Sequence, residues 1–215
     1  MLRSLERQRS FDLLAQRHGR ALQTRLAAAR VAVAGLGGLG SHVALALARA
    51  GLGGLHLIDF DLVDRSNLHR QAYFPRHLGL PKTEALAEML ADINPWLELR
   101  LSRVRLTAEN IPRLLAGERI VVEALDDPAA KAELVGTALS VFPELMMVGA
   151  SGLAGLGPAD EIVTRRFGRR LYLCGDAASE VRPGAGLLCS RVMVCAGQQA
   201  HQVIRLLMEE ETKNE

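Results

Sequence analysis

Five short groups of residues in this 215-residue chain suit a bound polyphosphate. Gly35-Leu36-Gly37-Gly38-Leu39-Gly40 has the G-x-G-x-x-G spacing, between an apolar run over residues 31–34 and a stretch of helical character. Gly35 permits the tight turn, Gly37 removes the side chain facing the phosphates, and Gly40 lets helix and strand pack closely. The amides at the helix start then face an anion. Such a loop serves many nucleotides, so the residues after it must decide between them.

Asp59 stands nineteen residues after Gly40, at the end of the apolar run 55–58. A nucleotide-binding sheet places a carboxylate there, on the ribose hydroxyls. Asp61 reads equally as a loop residue or as part of the site. Lys82 follows Pro81 in a first helical turn, where a cation opposes the helix dipole by roughly 0.3–1 kcal/mol. An anion to hold would account for it. Arg70 falls in the polar stretch Ser66-Asn67-Leu68-His69-Arg70-Gln71. Two cations plus the glycine loop would neutralise three phosphates, more charge than a dinucleotide pyrophosphate brings. Asp126 ends the apolar strand 120–125, at the edge where open sheets bind ligands. A magnesium ion bridging phosphates would suit a carboxylate there. Asp127 is explained locally, as the N-cap before Pro128.

The elements that must position these groups alternate. Residues 2–28 carry Leu and Phe at helical spacing among Arg and Gln, suggesting one or two amphipathic helices. Strands are expected over 30–34, 55–58, 97–104, 120–125 and 145–150. Helices are expected over 39–50, 81–93, from an N-cap at Thr107 to Gly117, and from Asp127 onward. Residues 60–80 read as irregular. This order predicts an α/β, Rossmann-like, mostly parallel sheet with helices on both faces. After Ala150 the pattern changes: a glycine-rich loop, an antiparallel hairpin over 161–173, a mobile crossover loop over 175–187, and a terminal helix over 191–208. The charged tail after that helix is expected to fray.

One domain over 1–215 is the default at 49% apolar content. A net charge of +2 gives no global sign of a nucleic-acid partner. Local basic clusters (Arg3, Arg7, Arg9 and Arg17 to Arg25; Arg165, Arg166, Arg169, Arg170) fit solvated faces or, alternatively, an acidic protein partner. The first ten residues are charged and no apolar run reaches membrane-spanning length, so the expectation is a cytoplasmic protein with no membrane association and reduced thiols. Cys195 reads as core, whereas Cys174 and Cys189 flank the crossover loop. His42, His69 and His201 have no spacing partners and receive no role.

Taken together, Gly35–Gly40, Asp59-Phe60-Asp61, Ser66–Gln71, Gly79-Leu80-Pro81-Lys82 and Leu125-Asp126-Asp127 resemble the ThiF/MoeB/HesA adenylyltransferases, relatives of the ubiquitin-activating enzymes. The likeness is to the short ThiF-like branch and covers roughly residues 25–209. It implies that Gly38 borders the phosphates, that Asp59 binds the ribose, and that Asn67, Arg70, Gln71 and Lys82 surround ATP. Asp126 would hold Mg2+. It also implies a homodimer in which an N-terminal arginine reaches a neighbouring site, with Arg7, Arg9 and Arg17 as competing candidates. The family reaction joins AMP to the C-terminal glycine carboxylate of a small ubiquitin-like sulfur carrier, here a ThiS-like carrier of thiamine biosynthesis. A molybdopterin-type carrier is the alternative.

Two features depart from the longer members. These carry two C-x-x-C pairs for zinc, whereas here only Cys174 lies near the first, so no zinc is expected. Neither Cys174 nor Cys189 falls on the loop cysteine that some members use for sulfur chemistry. An NAD-dependent oxidoreductase would use the glycine loop and Asp59 but leaves Arg70, Lys82 and Asp126 unexplained. A non-catalytic scaffold is the third reading.

Overall fold

The computed structural model describes residues 2–209; residues 210–215 of the charged tail lie outside the described residues. Two amino-terminal helices, α1 (Leu2–His18) and α2 (Arg20–Ala28), precede β1 (Arg30–Ala34), α3 (Gly38–Arg49) and β2 (Gly54–Ile58). After an irregular stretch come α4 (Lys82–Ile93), β3 (Glu98–Ser102), α5 (Ile111–Leu114) and β4 (Ile120–Glu123). Then follow α6 (Pro128–Val141), β5 (Met146–Ala150), β6 (Val163–Phe167), β7 (Leu171–Gly175) and α7 (Cys189–Glu209). The irregular stretch holds two short 3-10 turns, Arg65–Asn67 and Pro75–His77.

The strands form one seven-stranded sheet in the order β3-β2-β1-β4-β5-β7-β6. Every pairing is parallel except that of β6 with β7. Period-two alternation in β1 explains the two layers. Val31 and Val33 enter the core shared with α3, α4 and α7, whereas Ala32 and Ala34 face the core built with α5 and α6. The sheet reverses direction of growth between β1 and β4, and at such a switch point the carboxyl ends of the strands leave a crevice. The glycine loop follows β1 at that crevice.

Strands β3 and β4 stop short of the expected 97–104 and 120–125, and one helix is shortened most. A helix from Thr107 to Gly117 is reduced to Ile111–Leu114, with Asn110 in the N-cap position. The Ile111 N–H still donates to the Thr107 carbonyl at 3.0 Å, but Pro112 has no N–H for the Ala108 carbonyl, so the ladder breaks there. Asn110 still does part of what a capping box needs, because its Oδ1 accepts the Thr107 N–H at 3.0 Å. Asp127 caps α6 as expected, accepting the Ala130 N–H at 2.7 Å. No helix among the described residues is long and apolar enough to cross a membrane.

Candidate nucleotide site

The glycine loop is built for close approach. Gly35 has φ +89°, and a β-carbon there would lie 2.7 Å from the Ala124 carbonyl oxygen. A β-carbon on Gly40 would land on the Gly35 carbonyl oxygen, so helix and strand meet there without a side chain between them. Gly37 differs: a β-carbon would meet only Gln71 Nε2, at 3.6 Å. Nothing else among the described residues fills that space. Gly37 is also the N-cap of α3, and no side chain caps the helix start. Its first amides remain available to an anion.

Asp59 is 8% exposed and is fixed through both oxygens. Oδ2 accepts the Leu36 N–H at 2.6 Å and Oδ1 accepts the Asp61 N–H at 2.8 Å. Tyr73 completes the support from below, donating to the Leu36 carbonyl at 2.8 Å. Burial, and then the charge of Asp59, push its phenol above the ordinary range. Sequence reasoning missed Tyr73. Its only signal was an aromatic ring with a polar tip inside a polar stretch.

Lys82, the first residue of α4, is 5% exposed and pairs with Asp61, Nζ to Oδ2 at 2.8 Å. The backbone repeats this link, the Lys82 N–H donating to the Asp61 carbonyl at 3.0 Å. Arg70 packs beside Gly38, its carbonyl oxygen 3.3 Å from where a Gly38 β-carbon would lie. Its Nη2 donates to Asn67 Oδ1 at 2.8 Å, and it makes no ion pair among the described residues. Gln71 is buried, and its Oε1 has no hydrogen-bond partner among the described residues. A buried amide left open beside Gly37 is the kind of group a ligand satisfies.

Asp126 is exposed, and no hydrogen bond engages its carboxylate among the described residues. The chain just before it is well fixed. The Ala124 N–H donates to the Ala34 carbonyl at 2.8 Å, and the Leu125 N–H to Glu123 Oε1 at 2.8 Å. Glu123 is fully buried and pairs with Lys131 Nζ at 2.5 Å. Burial pushes its carboxyl up, and Lys131 pulls it back. This pair went unnoticed in the sequence, although a carboxylate within an apolar strand is itself a signal of a buried partner.

His42, given no role above, sits one turn into α3 with Nε2 4.0 Å from Cys189 Sγ. Burial lowers its pKa, opposed by a hydrogen bond to the Arg70 backbone. Cys174 and Cys195 are buried, and burial raises the Cys174 thiol to about 11. Arg7 lines a groove of about 400 Å³ with Gly51, Gly53 and Trp96, before β2. That is the amino end of the parallel strands, opposite the carboxyl ends where the glycine loop lies. No group of three or more His, Cys, Asp or Glu residues placed to hold a metal occurs among the described residues.

The open space at Gly37, the uncapped start of α3 and the cations Arg70 and Lys82 fit a polyphosphate, and the open Gln71 Oε1, an acceptor, suits a ligand hydroxyl or amine. Asp126 offers one free carboxylate. That suits magnesium, which takes one or two carboxylates and completes its shell with phosphate and water.

Comparison with known proteins gives the family and the fold. The chain is 32% identical over 203 residues to the adenylyltransferase and sulfurtransferase UBA4 of Yarrowia lipolytica, covering 91% of this chain and 50% of that protein. It is 31% identical over 195 residues to the molybdopterin-synthase adenylyltransferase of Salmonella typhimurium, covering 86% and 75%. The chain thus spans half the length of the first and three quarters of the second. Its fold matches that of the E. coli tRNA N6-threonylcarbamoyladenosine dehydratase TcdA in complex with ATP, with a TM-score of 0.85 at 23% identity, over 95% of this chain and 96% of that one. At that identity the likeness is one of fold. The ThiF family profile matches residues 6–215, and the chain belongs to the ThiF family.

Proposed function

We propose that this protein is an ATP-dependent adenylyltransferase acting on the C-terminal glycine carboxylate of a small ubiquitin-like sulfur carrier. The reading is supported by the adenylyltransferase names of its relatives and by one observation above the rest. Gly37 faces open space beside an uncapped helix start, with Arg70 packed against Gly38. A ThiS-like carrier of thiamine biosynthesis is the substrate we favour, from the likeness to the short branch.

In this mechanism the α3 amides, Lys82 and Arg70 hold the triphosphate, and Asp59 takes the ribose hydroxyls. A carrier carboxylate oxygen attacks the α-phosphorus in line. The new P–O bond forms as the α–β bridging bond breaks, and its electron pair leaves with pyrophosphate. Lys82 and Arg70 stabilise the charge that builds there, and they need no reorganisation because Asp61 and Asn67 already hold them. Magnesium on Asp126, when bound, supplies further neutralisation of that charge. No protein nucleophile is required; the chain positions and neutralises. Arg7 lies at the amino end of the strands, away from the glycine loop, so Arg7 would serve a second copy's site rather than its own.

Thermal shift separates this reading from a dinucleotide enzyme. MgATP should stabilise the protein and NAD should not. The reverse pattern would end the proposal.

A further inference from the structure

The buried pair of Glu123 and Lys131 takes no part in the nucleotide site, yet it lies against it. A β-carbon on Gly35 would come within 3.0 Å of the Leu125 nitrogen, and Glu123 Oε1 accepts the N–H of that same nitrogen. Glu123 closes β4 and shares a face with Val121, beneath α6. Gly149 on the neighbouring strand leaves it room, since a β-carbon there would sit 3.0 Å from Glu123 Oε2. From α7, Gln199 Nε2 donates to the Glu123 and Val148 carbonyls at 3.1 and 3.3 Å. These contacts fix the carboxylate, and the carboxylate fixes the lysine.

Lys131 is the fourth residue of α6, where a cation opposes the helix dipole. Its Nζ donates to Glu123 Oε2 and, at 3.1 Å, to the Ala150 carbonyl. The ammonium thus spans the carboxyl ends of β4 and β5. It has three N–H donors, and the third engages nothing among the described residues. The lysine side chain is 27% exposed although its partner is fully buried. A pair that only fastened α6 to the sheet would need neither the open donor nor the opening. Apolar residues of similar volume would fasten the helix as well.

Place decides what the open donor meets. Asp59, Arg70, Gln71 and Lys82 all belong to the chain that follows β2, so the nucleotide's charge is met on the β1–β2 side of the switch point. Lys131 stands on the other side, between the ends of β4 and β5. The second substrate of the proposed reaction is itself an anion, entering a crevice whose β1–β2 half is taken. Two anions that must meet repel each other. A cation already held in place offsets that repulsion without reorganising during the reaction.

We infer that Lys131 binds the acceptor: its third N–H donates to the terminal carboxylate of the carrier, and Glu123 is the positioning residue that aims it. This rests on the adenylyltransferase reading above. Lys131 keeps its proton throughout. One carboxylate oxygen bonds to the α-phosphorus, the oxygen held by Lys131 becomes the carbonyl of the acyl-adenylate, and no proton moves.

The test compares two forms of a ubiquitin-like carrier ending in glycine, one with its C-terminal carboxylate and one with a C-terminal amide. Each is titrated against the protein loaded with a MgATP analogue that has methylene at the α–β bridge. The parent should bind the carboxylate form about tenfold more tightly, the scale of one good charged contact. Lys131→Met combined with Glu123→Gln removes both charges and so leaves no buried ion alone. This double variant should bind the two forms equally, and its affinity for the MgATP analogue should stay within about twofold of the parent's. Lys131→Arg should retain the preference. In ATP–pyrophosphate exchange the double variant should raise KM for the carrier by about tenfold. An unchanged preference for the carboxylate in the double variant overturns the inference while leaving the function intact. So does a loss of affinity for the MgATP analogue as large as the loss for the carrier, which would place Lys131 on the nucleotide or in the fold alone. If the parent binds MgATP but shows no carrier-dependent exchange, the functional reading fails first, and this inference with it.

Discussion

Lys82 Nζ lies 2.8 Å from Asp61 Oδ2, a 95%-buried cation held by a half-exposed carboxylate across 21 residues of chain. Without nucleotide, Asp61 alone among the described residues balances Lys82. Asp61→Asn should therefore destabilise the free protein by about 1–3 kcal/mol, the cost of a buried group losing its partner. Phosphate would then replace the missing charge, so the MgATP-induced rise in Tm should be larger in the variant than in the parent. Equal rises would mean that Lys82 does not meet the nucleotide.

Gly37 and Gly40 should separate cleanly on substitution. Gly37→Ala meets no clash within the chain, so denaturant melts should shift by only about 1 kcal/mol or less, as for an N-cap change. Affinity for MgATP should nevertheless fall sharply, since the methyl group occupies the open space. Gly40→Ala should prevent folding, because its β-carbon has no room against the Gly35 carbonyl. Full ATP affinity in Gly37→Ala would move the phosphates elsewhere.

Asp126 is exposed and engages nothing among the described residues, so Asp126→Ala should leave stability within about 0.5 kcal/mol. ATP–pyrophosphate exchange should be abolished. Arg70→Ala should reduce exchange by roughly a hundredfold, the scale for removing one preorganised electrostatic group. Exchange at the parent rate in either variant removes that residue from the site.

His42 gives a pH signature. Burial lowers its pKa in the folded protein, so the unfolded chain takes up this proton first as pH falls. Stability from this group is complete above about pH 6.5 and is lost on acidification below that value. His42→Gln should make the decline between pH 7 and 5 shallower, measured by denaturant midpoints. An unchanged slope would assign the acid sensitivity to other groups.

Much of this arrangement was legible in the sequence because it is written in local spacing. The glycine loop, Asp59 at a strand end, Asp127 before Pro128, and the turn Gly168-Arg169 between two short strands each follow from residues within a few positions of one another. The pairing of Asp61 with Lys82, the support of Leu36 by Tyr73, and the burial of Glu123 with Lys131 do not. They join segments through an irregular stretch without period, or across the sheet, and depend on which charges tertiary packing encloses. Arg191 is the clearest instance: it opens a helix as a solvated residue would, yet it is 4% exposed and ties two loops together.

The most direct test of the account is the mass of the carrier after incubation with this protein and MgATP. The account predicts that a ubiquitin-like carrier ending in glycine gains the mass of one AMP, and that the gain disappears with Asp126→Ala protein or with a carrier lacking its terminal glycine. A carrier of unchanged mass, under conditions where MgATP demonstrably binds, would contradict it.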